Sequence, residues 1–423
     1  MNNPMPSAKP PVIVIGGGAA GLMAAAEAAR CGAPVVILEK MTRPGRKLRI
    51  TGKGRCNLTN IAEKREFISH FGPQGKFLHQ AFARFFSDDL VKLMKSFGVT
   101  VKTEENGKVF PEGDSATAVV DALVDQAARL GVVTRTNCAV ESILSEGESI
   151  SVQVADGEIL PASAVILATG GASYPATGST GDGYRLAASL GHTIVPTRPA
   201  LVPLETSGPE AAELQGLSLQ DVRATILVDD KRVAHRVGDM LFTHFGVSGP
   251  IILSLSLSAV DALAAGQQVK VVIDLQPTLD EASLDACLLR DIQEHGQRQL
   301  QTLLKNLLPN RMIPLCCRHT GVSGEKPANQ ITGEERKRLR RWLKGFMLEI
   351  RGHRGYNEAT VTAGGVSLKE VNPKTMASKR VPGLFFAGEV LDINGDTGGY
   401  NLQAAFSTGW VAGHAAAGAQ TVP

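Results

Sequence analysis

Val12-Ile13-Val14-Ile15-Gly16-Gly17-Gly18-Ala19-Ala20-Gly21-Leu22 is the stretch that decides the fold. Four apolar, mostly β-branched residues predict a buried strand, and the alanine-rich run Ala19 to Arg30 predicts a helix directly after three glycines. Val35 to Leu38 reads as a second strand, so the segment is a βαβ unit that opens a parallel sheet. Gly16, Gly18 and Gly21 have the GxGxxG spacing. Glycine there permits a tight turn, lets backbone approach a diphosphate, and packs the helix against the strand, while the helix N-terminus faces the anion. Glu39, 18 residues after Gly21 and just past the second strand, is placed to accept from ribose hydroxyls and to repel a 2′-phosphate.

Composition sets the outer limits. The 423 residues are ample for two or three domains, and 44 Lys+Arg against 41 Asp+Glu argues against nucleic-acid binding through bulk charge. The six cysteines include no CxxC pair, which excludes a dithiol redox motif and a zinc ribbon and fits a reducing compartment. The N-terminus does not have the pattern of a signal peptide, and glycines and Glu27 break the longest apolar run. The expectation is a cytoplasmic protein with no membrane span. Its histidines form no HxxH or HExxH arrangement, so no metal site is expected from spacing.

Residues 76 to 131 read as mainly helical, with Ser87 and Asp88-Asp89 opening one helix and Ser115 another, each supplying side-chain oxygens to free N–H groups. Cys138–Leu144, Ile150–Val154 and Ala164–Ala168 read as short strands in a polar meander. Pro196, Pro199 and Pro203 disfavour both helix and central strand and mark a first boundary. Beyond it lie a β-rich insert (196–278), with Ala224–Val228 and Val233–Val237 flanking a turn at Asp229-Asp230, and a helical insert (279–350). The expected architecture is α/β: a Rossmann-like domain in two sequence segments, 10–195 and 351–420, the second ending in a helix from Asn401 to Ala417.

Three more segments bear on the cofactor. Val165 to Gly171 is an apolar strand ending in Thr169-Gly170-Gly171; Gly383 to Glu389 is another, ending in Gly388-Glu389; Thr397-Gly398-Gly399-Tyr400-Asn401-Leu402-Gln403 opens the last helix. The first form recurs where a flavoprotein chain crosses the dinucleotide, the second would set a carboxylate near the ribityl or diphosphate portion, and the third would aim helix N–H groups at negative charge on a reduced flavin ring. In this order they point to FAD. Many of the chain's 45 glycines fall in these segments, where backbone has to approach a cofactor.

Gly45-Arg46-Lys47, Thr51-Gly52-Lys53-Gly54-Arg55-Cys56-Asn57-Leu58-Thr59-Asn60, Thr243 to Pro250 and Thr362 to Val366, together with the Thr-Gly-Gly-Tyr-Asn-Leu-Gln segment, resemble the signature of the BaiN/YhiN-like FAD-dependent flavoproteins. The resemblance spans nearly the whole chain and implies a two-part FAD domain interrupted by a β-barrel-like and a helical insert. It implies cofactor contacts from Gly16, Gly18, Ala19, Ala20 and Gly21; from Glu39, Lys40, Arg46, Lys47, Gly54, Arg55 and Asn57; and from Thr169, Gly170, Gly388, Glu389, Gly399, Tyr400, Asn401 and Leu402.

The implied activity is an FAD-dependent oxidoreduction: hydride transfer through flavin N5 to an unsaturated carbonyl or similar small organic substrate, with NAD(P)H as donor in a ping-pong scheme, since no second GxGxxG domain is present. Such a reduction needs a donor for the enolate oxygen and an acid for the α-carbon. Arg55, Tyr400 and His244 are the candidates, each with a plain structural role as its alternative, and Cys56 reads as small and buried. Arg55-Cys56-Asn57 departs from the aminoacetone-oxidase branch and argues against amine oxidation. Two rivals are a tRNA-modifying flavoprotein and a non-enzymatic flavin sensor. Residues 332–345 carry a net +4, more than the whole chain's +3. They are an RNA contact on the first rival and a solvated helix face on the reading preferred here.

Overall fold

The computed structural model describes residues 9–104 and 106–418. The apolar run Val12–Ile15 is β1, and each of its residues is buried. It lies at the centre of a five-stranded sheet whose order is Leu384–Phe386, Ala164–Leu167, β1, β2 (Val35–Leu38) and Val133–Arg135. All four pairings are parallel. A strand covered on both faces has no solvated side to accept polar residues, which is why it reads as a continuous apolar run.

Helix α1 (Ala19–Arg30) crosses from β1 to β2 and packs along the last helix, Tyr400–Gly418. The contact is made by backbone. A Cβ at Gly409 would lie 2.4 Å from the Ala20 carbonyl oxygen, and one at Gly413 would lie 2.2 Å from that of Ala24. Any larger residue at either position forces the two helices apart.

Among the described residues, the first compact unit comprises 9–104, 106–199 and 360–418, and the second 200–359. In the first, Val140–Glu146, Ser149–Val154 and Ile159–Ala162 form the antiparallel meander. The expected third strand, Ala164–Ala168, instead enters the parallel sheet beside β1. The segment 76–131 is less helical than expected, because Val101–Thr103 and Lys108–Pro111 pair as strands. Ser115 does cap its helix, accepting from the Ala118 N–H at 3.3 Å. Ser87 does not cap; it is the first helical residue, and the Asp89 carboxylate accepts from the Phe86 N–H at 2.9 Å. The proline-marked passage is a strand after all, Ile194–Ala200, in a two-stranded sheet with Val361–Val366. Proline is tolerated there because an edge strand leaves one row of N–H positions without a ladder partner.

The second unit is a closed barrel of Leu204–Thr206, Gly246–Ser248, Lys231–Phe242, Ser218–Val228, Val269–Asp274 and Phe346–His353. Two features differ from expectation. Pro250–Ala264, inside the expected β-rich stretch, is a helix. The strand Phe346–His353 runs across residue 351, where the return to the first domain was expected. Ile226, Phe242, Val271 and Phe346 fill the core of this unit.

Candidate functional site

The turn between β1 and α1 explains its glycines one by one. Gly16 has φ +103°, and a Cβ there would meet the Ala168 carbonyl oxygen at 2.6 Å. A Cβ at Gly21 would sit 1.8 Å from the Gly16 carbonyl oxygen, so Gly21 serves helix–strand packing. Gly18 differs: nothing lies within 4 Å of its Cβ position, and its φ of −82° suits any residue. Its absent side chain therefore leaves space at the N-terminus of α1, where unpaired N–H groups and the helix dipole favour an anion.

Glu39 follows β2. Its Oε2 accepts from the Gly17 N–H and its Oε1 from the Met41 N–H, both at 2.8 Å. Each ionised oxygen keeps acceptor capacity, so the carboxylate is held in place and still able to receive hydroxyl donors. The open Gly18 position, the α1 N-terminus and the fixed Glu39 together fit the diphosphate and ribose of a dinucleotide. Lys40 lies beside them, donating to Asp182 and Thr180 at 2.5 Å each.

A second cluster joins segments distant in sequence. Lys47 Nζ donates to Glu389 Oε2 at 2.8 Å and to Ser173 Oγ at 2.6 Å. Glu389 Oε1 accepts from Ser173 Oγ and from the Thr362 N–H, both at 2.8 Å. Arg46 donates to the Ala176 carbonyl at 3.2 Å. Gly170 adopts φ +73°, and the Thr169 hydroxyl would lie 2.1 Å from a Cβ at Gly183. Ser173 and Thr362 were not singled out individually in the sequence. Both are fully buried, and their partners lie far along the chain.

The start of the last helix is held by asparagines. A Cβ at Gly399 would meet the Thr59 carbonyl oxygen at 2.4 Å. With its amide oriented to suit its neighbours, Asn57 accepts from the Gly399 N–H at 3.0 Å and donates to the Thr59 carbonyl at 3.0 Å. Asn60 donates to the Gly398 carbonyl at 3.2 Å. Asn401 both accepts from the Gly395 N–H and donates to the Gly395 carbonyl, at 2.8 Å each. Gly54 has open space at its Cβ position, and Leu402 is partly buried against the core.

Tyr400 sits in an aromatic cluster at the start of the last helix. It is buried, edge-on to Phe67 at 4.7 Å and stacked on His70 at 4.0 Å, and burial pushes its hydroxyl up to about 12. Its neighbour His70 was missed in the sequence. His70 Nδ1 lies 3.0 Å from Asp396 Oδ2, an imidazole–carboxylate pair made by residues 326 positions apart, so no local spacing could reveal it.

Arg55 is also engaged. It pairs with Glu104 at 2.5 Å and Asp114 at 2.9 Å, and its guanidinium lies 4.1 Å from the centre of the Phe110 ring. These contacts pin a loop in which Gly52, Lys53, Gly54 and Cys56 all have positive φ. Cys56 is fully buried and burial pushes its thiol up to about 12, so at neutral pH it remains a neutral thiol with a packing role.

In the second unit His244 is exposed at the tip of a two-residue hairpin, where the Thr243 N–H donates to the Gly246 carbonyl at 2.8 Å. Its ring is edge-on to Phe245, over which Arg354 lies at 4.6 Å. The basic run forms the helix Gly333–Lys344 and is partly matched within its own unit. Arg336 and Arg340 both reach Asp285 at 3.0 Å, Lys344 reaches Asp274 at 2.7 Å, and Arg338 donates to the Thr320 carbonyl. Asp285 and Asp274 offset part of this charge, which makes the run a weaker candidate than a bare cationic face for the RNA contact considered for residues 336–344.

Residues 10–415 match a family model described as the HI0933-like protein Rossmann domain. A 3-dehydro-bile acid delta(4,6)-reductase of Clostridium scindens is 34% identical over 399 residues, covering 94% of this chain and 96% of that one. A ribosomal RNA dihydrouridine synthase of Escherichia coli is 32% identical over 391 residues, covering 92% and 94%. Among solved structures, a flavocytochrome c3 fumarate reductase in an open conformation aligns with 99% of this chain and 79% of its own, at 17% identity and a TM-score of 0.49. Among the described residues, no helix is long and apolar enough to cross a membrane.

Proposed function

The chain belongs to the HI0933-like Rossmann-domain family; on that premise we propose that it is an FAD-dependent oxidoreductase that reduces a carbon–carbon double bond conjugated to a carbonyl, using NAD(P)H. One observation carries this reading. The two relatives bear names that describe the same transformation on different molecules. A delta(4,6)-reductase of a 3-oxo bile acid saturates a dienone, and making dihydrouridine saturates the uracil bond conjugated to its C4 carbonyl.

The residues that would hold FAD are the Gly16–Gly18 turn and the first turn of α1 for the diphosphate, Glu39 for the ribose, Lys47 with Glu389 along the chain between them and the ring, and the Gly398–Leu402 start of the last helix for the ring edge. FAD when bound supplies the hydride chemistry. What remains for the protein is to orient the substrate, stabilise charge on its carbonyl oxygen and deliver a proton to its α-carbon. We assign the proton to His70. Asp396 fixes its Nδ1, and Nε2 has no protein partner among the described residues, which leaves it to face a substrate. Arg55 and Tyr400 take supporting roles, and His244 stays a candidate donor or acid. A cytoplasmic location belongs to the same reading and is supported by six cysteines that are all free.

A second reading keeps the chemistry and makes the substrate a uracil base in RNA. The dihydrouridine synthase of E. coli supports it, and so does a strand of the barrel. From Lys231 to Gly238 that strand exposes Lys231, Arg232, His235 and Arg236 and contains no acid. The test is a purified sample whose flavin is bleached anaerobically with NADH or NADPH and then offered a steroid dienone or unmodified ribosomal RNA. Reoxidation by one with a saturated product identifies the substrate class. Bleached flavin reoxidised by neither, at any accessible concentration, would overturn the reading, as would a folded sample that carries no flavin.

A further inference from the structure

Glu27 is a buried charge that the proposed chemistry leaves unused. It lies near the C-terminal end of α1 with its side chain 3% exposed. We propose that Glu27, Cys31 and His414 form a binding site for a zinc-class divalent metal ion, which ties the end of α1 to the last helix.

The three donors come from elements already packed together. Glu27 and Cys31 are four apart and share one face at the end of α1, and His414 projects from the last helix one residue after Gly413, which touches α1 backbone. Their ligand atoms all lie within 4.8 Å of one another. Individually, Cys31 Sγ is 3.7 Å from Glu27 Oε1 and 3.6 Å from His414 Nδ1, and Glu27 Oε1 is 3.0 Å from His414 Nδ1. A tetrahedral zinc ion at about 2.3 Å from sulfur and about 2.0–2.1 Å from nitrogen and oxygen sets ligand edges of about 3.6 Å to sulfur and about 3.3 Å between nitrogen and oxygen. The triad therefore already has the edges of a tetrahedral face to within a few tenths of an ångström.

The surroundings suit an ion as well. The Trp410 ring stacks on His414 at 5.1 Å with 12° between the planes, which fixes the imidazole. Arg30 Nε donates to Glu27 Oε2 at 2.7 Å, leaving Oε1 to the ion once the second guanidinium contact, at 2.6 Å, gives way. An outer-shell donor on the far oxygen of a ligating carboxylate is the usual arrangement. Cys31 and the 44% exposed His414 open the fourth position to solvent. Thiolate, imidazole and carboxylate together select zinc and its neighbours over magnesium or calcium.

The experiment is a cobalt(II) titration of the full chain after chelator treatment and dialysis, at neutral pH. One equivalent should produce visible d–d bands to the red of flavin absorption and a sulfur-to-cobalt charge-transfer band. Cys31→Ser should lose the charge-transfer band, and His414→Ala should weaken binding by about 10–100-fold. Both variants should keep the wild-type far-ultraviolet circular dichroism. Zinc should raise the thermal midpoint of the wild type and not of either variant. Cobalt spectra identical in wild type and Cys31→Ser, or absence of any tetrahedral spectrum in the wild type, would overturn the proposal and leave the cluster as an ion pair with Arg30.

Discussion

Lys47 and Glu389, 342 residues apart, meet at 2.8 Å with about a fifth of each side chain exposed. The carboxylate also receives the Ser173 hydroxyl and the Thr362 N–H, so one ion pair ties together four segments of the first unit. Removing the cation leaves a half-buried carboxylate with neutral donors only. Lys47→Met is expected to cost about 1–3 kcal/mol of stability, read as a lowered urea midpoint. Adding Glu389→Gln should recover part of that loss. A double variant no better than the sum of the singles would show that the two residues are not coupled.

Gly18 and Gly21 should respond oppositely to the same small change. Gly21→Ala drives a methyl to 1.8 Å from the Gly16 carbonyl oxygen and should lower stability by more than about 2 kcal/mol. Gly18→Ala enters open space, so the fold should change by less than about 0.5 kcal/mol while FAD affinity falls. Flavin fluorescence titration beside thermal melting separates the two. Gly18→Val retaining FAD stoichiometrically would show that the diphosphate lies elsewhere.

His70→Gln should slow substrate reduction by about 10²–10⁴-fold and leave the rate of flavin bleaching by nicotinamide near that of the wild type. Tyr400→Phe, which keeps the ring among Phe67, Phe71 and His70, should change substrate reduction by only a few-fold. Stopped-flow measurement of the two half-reactions checks both, and equal losses in both for His70→Gln would point to a structural role.

In the second unit Lys326 reaches both oxygens of Glu335 at 2.8 Å, and this contact, with the Thr332 N–H, lowers the carboxyl from 4.5 to about 2. A depressed folded value means that the stability it contributes is complete above about 4.5 and is lost as pH falls towards about 2. Urea midpoints of the wild type should fall across that window more steeply than those of Glu335→Gln. Parallel pH curves for the two proteins would remove Glu335 from the acid-labile set.

Much of the first unit was legible because its signals are local. The apolar run Val12–Ile15, the glycine spacing after it and Glu39 at the end of β2 are each confined to a few neighbouring residues, and the structure sets all three at one turn. The start of the last helix was legible for the same reason. Ser87 with Asp88 and Asp89 does open a helix, but of these it is the Asp89 carboxylate, reaching back to the Phe86 N–H, that supplies the oxygen. Ala164–Leu167 was assigned to the meander because a short apolar strand does not state its partner; that depends on which side of β1 stands open.

The sequence by itself determined the βαβ unit, the dinucleotide turn and the family signature, since strand period, helix start and glycine conformation are properties of a few consecutive residues. Only the tertiary structure decided which charged groups were already spent. Arg55 is matched by Glu104 and Asp114, and Arg336, Arg340 and Lys344 of the basic helix reach Asp285 and Asp274. It alone brought His70 to Asp396 and joined Glu27 and Cys31 to His414. Charge and coordination act over a few ångströms of space, and residues more than 300 positions apart come within that range only when the chain has folded.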